Sequence, residues 1–278
     1  MNGWSFAISR RWFGYLALVV IFAIGCSLLA MWQLARRDDA RAEIDRVEAN
    51  WESAPRPIDE VLPTLDSFDP DTKWTPVVLN GEYLSDEQVL ARGRPRDGNP
   101  GFEVLVPFRL DDGTVFIVDR GWIPVGNTGD TPETVPAAPA GRVTVVARLK
   151  AGEPVVAGRS APEGQIATVH LPDLAERVGE PVYTGAYGLV ASEDPAPATA
   201  PLQQVKPTPD EGPHLSYAFQ WFVFGIMALG ALVWAVRQEY RARNSEDPAV
   251  LEYEEKRKQR AVKKGPTDAD IEDALLDR

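Results

Sequence analysis

Two histidines and one cysteine are all the imidazole and thiol in this chain of 278 residues. Any nucleophile with its own base, or any metal site of several soft ligands, would have to be built from His170, His214 and Cys26. That supply is too small for a catalytic triad or a closed zinc site. The chain also lacks a phosphate-binding loop, a GxGxxG turn after a strand, and the HExxH and GxSxG signatures, so phosphate, dinucleotide, zinc and serine-hydrolase chemistry have no anchor. What remains is single-ligand chemistry, one imidazole meeting one partner.

His170, in ATVHLPDL, reads as a hydrogen-bonded structural histidine. His214 differs: it follows a proline and opens the run HLSYAFQWFVFGIMALGALVWAV, with Tyr217, Phe219, Trp221, Phe222 and Phe224 on its next turns. A neutral imidazole in such a place can ligate a haem iron between aromatic walls that exclude water. The same residues would also serve as an interfacial anchor, because amphipathic rings favour headgroup depth.

The elements that must position His214 are two long apolar runs. Residues 12–34 and 214–236 carry no charge, and each exceeds the roughly 20 residues that an α-helix needs to cross a hydrocarbon core about 30 Å thick. Two transmembrane helices follow. Arg237, Arg241 and Arg243 flank the second run on its C-terminal side, against Lys206 on the other, which puts the C-terminus in the cytoplasm. With two crossings the N-terminal residues 1–11 are cytoplasmic too, and residues 35–213 lie outside. Gln33 and Gln220 are polar near the span ends, where such residues turn toward a neighbouring helix and could pair with each other.

The N-terminus holds two signals that could mislead. SRRWFG resembles a twin-arginine export signal and AIGC, ending at Cys26, approaches a lipoprotein cleavage box. The apolar run continues past Cys26 for eight residues, longer than a cleaved signal requires, so an uncleaved anchor is expected. One cysteine excludes an internal disulfide, and within a span Cys26 reads as a small packing residue.

Residues 35–213 hold 17 Lys and Arg against 30 Asp and Glu, whereas the tail 237–278 is nearly balanced, 10 against 11. An acidic exterior repels phosphate backbones and argues against a nucleic-acid partner. The helical composition of ARRDDARAEIDRVEANW extends the first helix a few turns past the membrane until APRP breaks it. From Thr75 on, β-branched and aromatic runs separated by Gly, Pro and Asp read as six strands: 75–83, 87–94, 102–110, 114–122, 142–150 and 182–191. DDG at 111–113 reads as a hairpin turn, and 171–179 as the one helix among them. The fold class is therefore an α+β membrane protein, two transmembrane helices flanking an antiparallel β-rich extracytoplasmic sheet or small barrel. A Pro-rich extended linker at 193–213 leads into the second span, and the tail 237–278 is a charged, solvated cytoplasmic segment.

Three segments in this layout carry a resemblance: MWQLARRDDARAEI at 31–44, VDRGWIP at 118–124 and HLSYAFQWFVFG at 214–225. With them the chain resembles the surfeit locus protein 1 family of cytochrome c oxidase assembly factors. The resemblance implies a non-enzymatic assembly factor or accessory subunit of an aa3-type cytochrome c oxidase in the bacterial plasma membrane, assisting haem A insertion or retention in subunit I. Other respiratory subunits and the lipid bilayer would be its further partners. It implies that His214 is the haem iron ligand, with Tyr217, Gln220 and Trp221 as haem A contacts, and that Trp32, Gln33, Arg37, Arg120, Gly121 and Trp122 are family motif positions. The alternative is a structural accessory protein of a respiratory supercomplex without haem contact.

Arg120 could pair with a haem propionate or an oxidase carboxylate, or form a structural ion pair with Asp119 or a cross-strand acid. Arg92, Arg94 and Arg96 would share one face if their strand persists. Two departures from the family stand out. No lysine follows the paired arginines shortly after Gln33, and the charged tail is long.

Overall fold

The computed structural model describes residues 3–127 and 131–264, the side chains of 261–264 excepted. The chain forms two compact units, residues 40–211 and, separately, residues 1–39 with 212–278. Its elements in chain order are α1 (Arg10–Asn50), β1 (Arg56–Pro57), α2 (Ile58–Val61), β2 (Pro76–Tyr83), β3 (Val89–Arg92), β4 (Gly101–Leu110), β5 (Val115–Pro124), β6 (Arg142–Ala151), β7 (Gln165–Ile166), α3 (Leu171–Val178), β8 (Ala186–Asp194), α4 (His214–Arg243) and α5 (Pro248–Lys264). All six expected strands and the α3 helix are present. The expected extension of α1 is real and runs to Asn50. The linker expected from 193 starts later, because Glu193 and Asp194 are the last residues of β8.

In the unit 40–211, β2, β6, β8, β5 and β4 pair in that order, and β4 pairs back onto β2, closing a five-stranded barrel. The ring is mostly antiparallel, as expected, with one necessary exception. Directions cannot alternate all the way round a closed ring with an odd number of strands, so one neighbouring pair must be parallel. That pair is β5 with β8; the appended strands β1 and β7 are also parallel to their neighbours. Gly81 permits the closure, since a Cβ there would collide with the Arg109 carbonyl of β4.

The period-2 alternation of these strands sorts residues to two faces. Val77, Leu79, Val104, Val106, Phe108, Phe116, Val118, Val143, Val145, Ala147 and Leu149 fill the interior, with Ile58, Val61 and Leu62 from α2 and the turn after it. The opposite faces of β4, β5 and β8 carry Leu105, Ile117, Tyr187 and Leu189 into a second cluster, covered by Leu171 and Leu174 of α3 and by Trp51 and Trp74. Glu43 ties α1 into this layer: its Oε1 accepts from Lys73 Nζ at 2.6 Å and from Trp74 Nε1 at 2.9 Å.

In the other unit, α1 and α4 are each long and apolar enough to cross a membrane, with windows of mean hydropathy 2.4 and 1.9. Large apolar side chains such as Ile21, Ile226 and Trp234 are two-thirds exposed. The two helices meet along small residues. Cys26, Ala30 and Ala218 are buried, and a Cβ on Gly225 would sit 3.7 Å from Cys26 Cβ. Small side chains let two backbones approach where lipid supplies no hydrophobic drive for association. Near the start of α1 the Trp4 ring stacks on Tyr240 at 4.2 Å, and Arg11 pairs with Glu239.

Candidate functional site

The seam between α1 and α4 ends in polar side chains. One helical turn before Ala218 stands His214, and one turn beyond Ala30 stands Gln33. His214 Nδ1 and Gln33 Oε1 are 2.9 Å apart. A carboxamide oxygen offers only lone pairs, so the bond requires the imidazole proton on Nδ1 and leaves Nε2 with its lone pair. Gly212, at φ +66°, makes room on that side, since a Cβ there would lie 3.2 Å from Nε2. The donor set would fit a haem iron: His214 Nε2 would hold it, with Gln33 orienting the ring from behind. Among the described residues no group of three or more His, Cys, Asp and Glu could hold a bare metal ion.

At 100° per residue, His214, Ala218, Trp221 and Gly225 fall on one face of α4. Tyr217 lies at the edge of that face and is half exposed, and Trp221 packs edge-to-face on Phe224 at 5.9 Å. Gln220 lies about 120° away by the same spacing and is exposed. The two glutamines expected to pair thus have different fates, because His214 and not Gln220 shares the seam with Gln33. Trp32 is exposed, and Arg37 is half-buried one turn beyond Gln33.

The VDRGWIP segment belongs to the barrel, and its geometry follows from one irregularity. Leu105 pairs with Asp119 but Glu103 pairs with Trp122, so Arg120 and Gly121 together oppose one residue of β4, a β-bulge. Gly121 absorbs it at φ +127°. Arg120 points into the barrel with Phe116 and Val118, where its Nε donates to Glu193 Oε1 at 2.9 Å and its Nη1 to the Pro136 carbonyl at 2.9 Å. Both side chains are buried, 0% and 3% exposed. A second register shift, between Val146 and Ala147 against β8, turns Glu193 inward to meet it. Arg120 is thus a structural ion pair with a cross-strand acid, enclosed by protein. Asp119 cannot be that partner because it points to the opposite face, where its Oδ1 accepts from Gly121 N at 2.9 Å. Burial, with Glu103 beside it, pushes the Asp119 carboxyl up to about 8.

Trp122, on the outer face, donates from Nε1 to the Arg94 carbonyl at 2.7 Å and fits against Gly101, where a Cβ would collide with the indole. Its backbone exchanges two hydrogen bonds with Leu202, at 2.8 and 2.9 Å. The Pro-rich segment 195–211 is therefore a docked strap. Arg96 Nη1 reinforces it, donating to the Leu202 and Gln203 carbonyls at 3.0 and 2.9 Å. The arginines expected on one strand face separate, because β3 ends at Arg92 and Arg94 instead forks onto Glu153 at 2.8 and 2.6 Å. His170 immediately precedes α3, its Nδ1 2.8 Å from Asp173 Oδ1. Sequence reasoning missed Glu193 and Gly212; a positive-φ glycine two residues before a histidine left no distinctive pattern.

Comparison with known proteins places these features. The sequence model of the SURF1 family matches residues 20–226. A SURF1-like protein of Mycobacterium tuberculosis is 35% identical over 247 residues, 87% of this chain and 89% of its own. A SURF1-like protein of Dictyostelium discoideum is 31% identical over 112 residues, 38% of this chain and 41% of its own. The cytochrome oxidase assembly protein SHY1 of Saccharomyces cerevisiae is 33% identical over 69 residues, 23% of this chain and 18% of its own.

Proposed function

We propose, on the premise that this chain belongs to the SURF1 family, that it is a membrane-bound cytochrome oxidase assembly factor that handles haem A at His214 on the way into subunit I. The observation that carries this reading is the hydrogen bond between Gln33 and His214. It joins two of the family segments, otherwise 181 residues apart, and it leaves the Nε2 lone pair directed away from Gln33. A handover site needs a bond that can be made and released. A single imidazole, that of His214, would offer such a bond. Haem A is here cargo: the protein binds it and keeps water from it, and makes or breaks no covalent bond. Helices α1 and α4 cross the bilayer, with the barrel outside and both termini in the cytoplasm, as Arg237, Arg241 and Arg243 favour.

The test is haem content. The protein is purified from cells that make haem A and its absorption spectrum recorded, wild type beside His214→Ala and Gln33→Leu. His214→Ala should lose the haem signal, and Gln33→Leu should bind about 10- to 100-fold more weakly, the usual cost of removing a group that orients a ligand. Equal haem content in wild type and His214→Ala would sink the ligand role and favour an accessory protein without haem contact. Normal haem content of subunit I in a deletion strain would sink the assembly role.

A further inference from the structure

The family match ends at residue 226, and α5 lies wholly beyond it. This helix is fixed to the end of α4. Asp247 caps it, its Oδ1 accepting from Ala249 N at 2.9 Å, while Tyr240 donates its hydroxyl to Asp247 Oδ2 at 3.3 Å. The Arg241 guanidinium lies 3.8 Å from the Tyr253 ring centre, and Val250 is buried. Whatever surface the end of α4 meets, the start of α5 is held beside it.

Charge along α5 is segregated. Residues 246–255 hold five acids and no base, and residues 256–264 hold Lys256, Arg257, Lys258, Arg260, Lys263 and Lys264 and no acid. Five of these six, all but Lys258, occupy positions within an arc of about 120° at helical spacing. A helix dipole favours bases only in the last turn, whereas this block runs for about 13 Å at 1.5 Å per residue. That length exceeds a Debye length of about 8 Å, so the basic half presents its own field beyond the acidic half. Lys256, Arg257, Lys258 and Arg260 are exposed, and Lys256 pairs with Glu252. Among the described residues no carboxylate forms an ion pair with Arg257, Lys258 or Arg260.

We propose that the basic half of α5 lies on an anionic phospholipid surface, held there by its fixed start at the end of α4. The inference rests on the reading of α4 as a membrane span. Clustered lysine and arginine close to the cytoplasmic end of a span are drawn to anionic headgroups, and an acidic protein partner would lack the span's guarantee of proximity.

The full-length protein is reconstituted into nanodiscs of phosphatidylcholine alone, and of phosphatidylcholine with about 30% phosphatidylglycerol. Amide hydrogen exchange is then followed over residues 251–264. Exchange should be about tenfold slower in the anionic discs. The difference should vanish in about 0.5 M salt, where screening is within about 4 Å, and in the triple variant Arg257→Gln, Lys258→Gln, Arg260→Gln. Equal exchange in both discs would overturn the proposal; slowing that needs added oxidase instead would give the surface to a protein partner. Failure of the protein to enter discs of either kind would overturn the reading of α4 as a span.

Discussion

Asp119 is the residue whose environment most changes its chemistry. It sits on the outer face of β5, facing Glu103 of β4, Lys150 of β6 and Tyr187 of β8, with Arg94 and Glu153 on the flanking turns. Its carboxyl rises from 3.8 to about 8 because burial, and then Glu103, penalise the charged form. A folded value above the unfolded one means that the folded state binds the proton more tightly. The stability this gives is complete below about pH 4 and is lost as the pH climbs through about 8. The melting temperature should therefore fall between pH 5.5 and 8.5. Asp119→Asn keeps an oxygen to accept from Gly121 N but cannot ionise, so its melting temperature should fall less over that range. Parallel curves for variant and wild type, measured by scanning fluorimetry in detergent, would show that Asp119 is ionised throughout. Nothing in DRGWIP announces this. The motif offered Arg120 both Asp119 and a cross-strand acid as partners, but adjacent strand residues point to opposite faces, and only the register tells which acid meets Arg120.

At the scale of elements, the bulge in β5 governs the strap. A methyl group at Gly121 would stand 2.6 Å from the Leu202 carbonyl, at a φ of +127° that L-residues avoid. Gly121→Ala should then release the strap from β5, at a cost of about 1–3 kcal/mol for a strained backbone residue. Limited proteolysis should cleave 195–211 at least several-fold faster while the barrel stays resistant. Unchanged cleavage would mean that the strap is held elsewhere. Most strands were legible because they alternate or run apolar between turn residues, β3 with its three apolar residues being the weakest, and α1 because no Gly or Pro interrupts it after Gly25. The strap was not. Proline forbids a continuous ladder, yet a single pair of hydrogen bonds at Leu202 suffices to dock it, and no periodicity marks a one-residue bridge. The helix pair was half legible: the runs gave the spans, and the small residues at 26, 30, 218 and 225 gave the seam only once paired. His214 was singled out by scarcity and aromatic company, but its partner Gln33 had been assigned to Gln220.

For the whole molecule, the prediction is topological. On the proposed topology, protease added to spheroplasts should cut the loops of the 40–211 unit. Residues 244–264 should be cut only after the membrane is opened. Cutting in the reverse order would invert the assignment of sides, and release of the intact chain by alkaline carbonate would remove it from the bilayer altogether. The barrel itself constrains how such a protein can meet its partners. Among the described residues, closure leaves β1 and β7 at the ends of the strand order, each two residues long, and β1 ends in a proline. At either end of the strand order, a guest strand would find an outermost strand only two residues long to pair with. The two ends of this strand order are therefore poor templates for a further strand, from a second copy or from another chain.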